Sequence, residues 1–148
     1  PIQNVKAIVN EKIRIQGNHK GRVIDEMILW GKLTYITKEL LANANNYEVL
    51  GYDQEEWEWS MDNESQIWKL FINENLMFDN MNNSNFKLFA EGPRTNYPGA
   101  PMECSPMIGK FAGYRLVESY MANNDININE LIYEIDSDKI LKLSAYKP

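Results

Sequence analysis

Apolar side chains recur every three or four residues along most of this chain and almost nowhere alternate, so the pattern predicts helices and no sheet. Residues 2–15 carry Ile2, Val5, Ile8, Val9 and Ile13 on one stripe, with Lys6, Glu11, Lys12 and Arg14 facing out, until Gly17-Asn18 breaks the run. A second helix is expected over 20–42, with Val23, Ile24, Met27, Ile28, Tyr35, Ile36, Leu40 and Gly31 on its inner face. An asparagine-rich loop covers 43–47. Asp53, with Glu56 three residues on, forms an aspartate version of the capping box and opens a third helix that should end near 73–75. Its apolar face is Trp57, Met61, Ile67, Trp68 and Phe71, and Glu64 interrupts it. A short helix is expected near 80–89. Asn127 with Glu130 makes another capping box, opening a short helix over 130–134. Asp136 caps a last one, with Ile140, Leu141 and Leu143 facing in.

The chain is organised around residues 105–121. Ser105 is placed to cap free backbone N–H groups, and Pro106 suits a first helical position, where its missing N–H costs nothing. Ile108, Phe111, Ala112, Leu116, Val117, Tyr120 and Met121 form the apolar stripe. Gly109 and Gly113 lie one turn apart within it, although a helix-interior glycine costs about 1 kcal/mol against alanine. Two of them on one face predict close passage of another helix. Just before this helix, Gly92-Pro93, Pro98-Gly99 and Pro101 mark residues 91–104 as a long loop, and such loops usually bind a partner or pack as a lid. Arg94, Tyr97, Pro98 and Pro101 are its candidate partner-binding residues, because arginine and tyrosine favour interfaces and prolines lower the ordering cost. The expected architecture is all-α: one helical domain over residues 1–148 around a central, Ser-Pro-capped helix.

Composition narrows the function classes. The 148 residues are 44% hydrophobic, enough for a core, and 15 basic against 21 acidic side chains leave a net charge of −6. That balance argues against nucleic acid and against charge-driven docking on anionic lipid. No apolar run approaches the roughly 18 residues of a membrane span. The chain opens on Pro1, so a leader is expected to have been processed or left out.

Candidate chemistry is sparse. One cysteine and one histidine make no zinc set, and no metal or other cofactor is expected. His19 stands in a polar turn without a local carboxylate or nucleophile, so it reads as a solvated surface residue. The six acids from Asp53 to Glu64 lack calcium-loop spacing and suit a helix start, where the macrodipole is positive. Cys104 lies before the helix cap, where thiolate would be favoured, but no base is evident and an inert thiol is expected. Trp57 and Trp68 should share a face, whereas Trp59 points about 200° away from Trp57, so one of that pair should be exposed or at an interface. Gly109-x-x-x-Gly113 matches a membrane dimer motif, but Lys110, Arg115 and Glu118 beside it favour packing in a water-soluble core. No catalytic residue is assigned.

Several segments together resemble a known family. They are Gly31-Lys32-Leu33-Thr34-Tyr35, Gly51-Tyr52-Asp53-Gln54-Glu55, Asn63-Glu64-Ser65-Gln66-Ile67-Trp68-Lys69-Leu70-Phe71-Ile72, and Gly92-Pro93. The most specific are Ser105-Pro106-x-x-Gly109-Lys110-x-x-Gly113-Tyr114-Arg115-Leu116-Val117-x-Ser119-Tyr120-Met121 and the closing Ser144-x-Tyr146-Lys147-Pro148. From about residue 20 to 148 the chain resembles the C-terminal part of the gliding-motility lipoprotein GldB family of Bacteroidetes. The resemblance implies a longer, lipid-anchored protein facing the periplasm at the outer membrane, with the anchor outside this chain. It also implies the C-terminal half of a scaffold distantly similar to His-Glu-x-x-His zinc metallopeptidases.

No such motif occurs here. Trp30 stands before Gly31 where those enzymes place a glutamate ligand, and Glu26 lies one turn earlier. The expected function is therefore a non-catalytic, peptidase-like accessory or scaffold protein of an envelope machine for gliding or type IX secretion, with other envelope proteins as partners. The alternatives are the C-terminal half of a zinc peptidase whose metal-binding helix lies outside the chain, and a plain helical binding domain.

Overall fold

In the computed structural model, which describes residues 1–16 and 20–148, two helices cross at the centre and the others pack around them. The helices are α1 (Ile2–Gln16), α2 (Val23–Leu40), α3 (Asn46–Leu50), α4 (Gln54–Asp62), α5 (Glu64–Ile72), α6 (Ile108–Asn123), α7 (Ile128–Tyr133) and α8 (Ser137–Ser144). Tight 3-10 turns span Asn73–Phe78 and Asn85–Leu88. The described residues contain no β-strand, so the all-α expectation holds. His19 and Gly17-Asn18 lie outside the described residues.

The core is the α2–α6 pair, the largest interface between any two elements. α2 is buried nearly all round, charged Asp25 and Lys32 included. Val23, Ile24 and Met27 of α2 meet Phe111, Leu116 and Val117 of α6 in one fully buried cluster. The central position expected for α6 is thus shared with α2. The two helices touch backbone to backbone at Gly113. A Cβ there would lie 1.9 Å from the Met27 carbonyl oxygen, and one at Gly31 would lie 2.3 Å from the Gly113 oxygen. Gly109 answers a different neighbour: a Cβ would meet the Phe89 ring at 2.6 Å, not a crossing helix.

Several boundaries differ from the pattern. Residues 46–50 form a short helix ended by Gly51 in the left-handed region, φ 104°, that begins inside the loop expected over 43–47. The expected third helix is two helices, because the Asn63 side chain donates to the Trp59 carbonyl at 2.8 Å and its backbone leaves helical geometry. That break separates Trp57 from Trp68, so they do not share a helix face. Trp57 packs edge-on against Phe111, Trp68 edge-on against Tyr146, and Trp59 is half-buried like Trp57.

Helix α6 begins at Ile108, after Met107 in the left-handed region, so Ser105 does not cap it and Pro106 is not its first residue. Ile8, at 70% exposure, and Leu40 and Leu143 face outward despite their apolar spacing. Near 80–89 the chain forms one 3-10 turn, not an α-helix.

Candidate functional site

Arg115, Ser119 and Tyr146, from the two most specific segments of the resemblance, meet Glu64 and Glu118 in one polar groove. Glu64 opens α5, Arg115, Glu118 and Ser119 project from α6, and Tyr146 follows α8. Arg115 donates to Glu64 from Nε at 2.7 Å and to Glu118 from Nη1 at 3.0 Å. The Tyr146 hydroxyl donates to Glu64 Oε2 at 2.6 Å. Its ring stands edge-on to Trp68, with centroids 4.8 Å apart.

Burial sets the electrostatics. It works against the Arg115 charge, but the Glu64 hydrogen bond and the charges of Glu64 and Glu118 together outweigh it and hold the guanidinium above its ordinary value. Burial pushes the Glu118 carboxyl up, and Arg115 limits the rise. Burial, then the Glu64 carboxylate, pushes the Tyr146 phenol up. Ser119 Oγ donates to the Ser144 carbonyl at 2.6 Å, and Asn123 Nδ2 donates to the same oxygen. The groove is a clasp joining α5, α6 and the end of α8. Arg115 and the Tyr146 hydroxyl both hold Glu64, and the Ser119 hydroxyl holds the end of α8.

The loop over 91–104 is packed on itself. Arg94 donates from Nη2 to the Pro101 carbonyl at 3.2 Å and from Nη1 to Asn96 at 3.3 Å. The Tyr97 hydroxyl donates to Asn85 Oδ1 at 2.7 Å, and Pro101 is half-buried. Pro98 is exposed, and Met102 is 77% exposed. Thr95, fully buried, joins this loop to α6: its N–H and hydroxyl both donate to the Ser105 carbonyl, and its Oγ1 accepts the Ile108 N–H at 3.4 Å. Ser105 Oγ instead donates to the Glu56 carbonyl at 2.9 Å.

The remaining candidates are architectural. Cys104 is a buried free thiol whose pKa burial raises. Trp30 Nε1 donates to Glu26 at 3.1 Å, and the Lys110 ammonium sits 3.8 Å above the Trp30 ring. Asp53 and Glu56 complete their capping box, and so do Asn127 and Glu130. Among the described residues, no three His, Cys, Asp or Glu side chains are grouped to hold a metal ion.

Sequence reading missed the Glu64–Arg115–Tyr146 clasp and the Thr95 cap. The first had a signal, because a carboxylate interrupting an apolar stripe needs a buried cation opposite it. Thr95 had none, since its role depends on a loop path that spacing does not encode. Lys32, 4% exposed, was missed as well; its ammonium donates to the Glu134 carbonyl at 2.5 Å, and burial pulls its pKa down to about 8.

The fold and groove define an all-helical protein in which Glu64, Arg115 and Tyr146 hold α5, α6 and the end of α8 together. The chain belongs to the gliding motility protein GldB family, whose model matches residues 1–148. The family carries a lipoprotein designation, which suggests a cell-envelope location. No helix of the described residues is long and apolar enough to cross a membrane. Neither a curated protein nor a solved structure gives a significant match.

Proposed function

We propose that this chain is a non-catalytic accessory protein of a Bacteroidetes envelope machine, for gliding motility or type IX secretion, that works by gripping partner proteins. It acts from the periplasmic face of the outer membrane through a lipid anchor. Family membership supports the setting. The observation that carries the contact role is the loop over 91–104. It is braced from beneath by Arg94, Tyr97 and Pro101 and tied to α6 through Thr95, yet it presents Pro98 and Met102 to solvent. A large apolar side chain held out on a braced loop is suited to bury against another protein.

Met102→Asp places a charge at this tip without touching a buried contact. The variant should melt within about 0.5 kcal/mol of the parent and lose co-purifying envelope partners. Retention of every partner would refute the contact role. Arg94→Ala with Tyr97→Ala should instead lower the melting temperature, because both side chains hold the loop.

A further inference from the structure

Beside the loop lies a groove of about 410 Å³ between the 3-10 turn at Asn73–Phe78 and residues 97–99. Leu70, Leu76 and Pro98 line it with apolar surface, and Tyr97 contributes its ring. Two carboxylates, Glu74 and Asp79, stand at its edge, and no lysine or arginine lines it. Among the described residues, neither carboxylate is in an ion pair. Asp79 adds to the burial that raises the Tyr97 phenol, so its field reaches that ring. Glu74 and Asn75 both sit in left-handed backbone, φ 55° and 57°, which non-glycine residues seldom adopt.

From this charge and shape we infer that the groove docks an extended segment of a partner protein that presents a lysine or arginine flanked by apolar side chains. The aliphatic stem of such a residue lies on Leu70 and Pro98, and its cationic head meets Glu74 and Asp79. The groove shares Tyr97 and Pro98 with the contact loop, so the inference rests on the proposed contact role and supplies the chemistry of what is gripped.

A phage-displayed random peptide library panned on the chain tests it. The most enriched peptide is then synthesised and titrated against the parent, Glu74→Gln/Asp79→Asn, and Met102→Asp, with melting curves confirming that all three fold. Enriched sequences should pair Lys or Arg with apolar residues. The double variant should bind roughly tenfold more weakly, and added salt should weaken binding to the parent. Absence of enrichment, enrichment of peptides without a basic residue, or equal binding by the double variant would each overturn the inference. If Met102→Asp loses its envelope partners while the double variant keeps both peptide and partners, the contact role survives and the groove does not. If Met102→Asp keeps every partner, the contact role fails on its own terms.

Discussion

Gly113 is the residue on which the central crossing depends. The added methyl of Gly113→Ala would overlap the Met27 carbonyl, which is backbone and cannot rotate away. Gly109→Ala meets the edge of the Phe89 side chain, which has some room to shift. Overpacking a core costs about 1–3 kcal/mol, and Gly113→Ala should reach or exceed the top of that range, with Gly109→Ala well below it. Thermal melts of the two variants check the order, and equal losses would mean that Phe89 is held as rigidly as the backbone. Both glycines were legible as members of one apolar stripe. Which of them faced a helix and which a ring was not, because that depends on where Phe89 returns from a distant turn. The same limit explains Ile8, since helical spacing marks a side chain as apolar but does not say that a neighbour covers it.

At the scale of elements, capping boxes written within four consecutive residues were readable, and both at Asp53 and Asn127 occur as expected. Caps borrowed from elsewhere were not. Helix α6 takes its first-turn partner from Thr95, across the loop, instead of from Ser105 in its own sequence. Thr95→Val keeps shape and removes the hydroxyl, leaving the buried Ile108 N–H and Ser105 carbonyl each one hydrogen bond poorer. The expected cost is about 1–2 kcal/mol, and Ser105→Ala should cost less because its hydroxyl bonds only to the half-buried Glu56 segment. Chemical denaturation of both variants measures the difference. A larger loss in Ser105→Ala would place the cap back at Ser105. The split at Asn63 has the same lesson: one side chain returning to a carbonyl ends a helix that apolar spacing alone would continue.

For the whole molecule, Lys32 links the central pair to the connection between α7 and α8, and its burial makes global stability depend on pH. The folded pKa is about 8 against 10.5 for an ordinary lysine, so between these values the folded chain has released a proton that the unfolded chain still holds. Stability therefore rises with pH across that window, by at most about 1.4 kcal/mol per unit from this group. Lys6 and Lys110, lowered chiefly by burial, act in the same direction. Tyr52, Tyr114 and Tyr146, pushed up by burial, act oppositely once unfolded phenols ionise near pH 10. Denaturant midpoints at pH 8 and pH 9.5 should therefore rise in the parent, and Lys32→Met should flatten most of the slope. An identical slope in the variant would show that the ammonium is solvated.

The α2–α6 crossing also bears on how the chain is made. The ribosome finishes α2, one of the most apolar surfaces in the molecule, long before it reaches α6, the helix that covers most of it. Throughout that interval α2 has only α1 and its nearest successors as cover. Even once α6 has emerged, the Glu64 clasp waits for Tyr146. The nascent protein thus passes through a stage with a sticky, unfinished core, and anything that shepherds it during synthesis or export has α2 as its natural handhold.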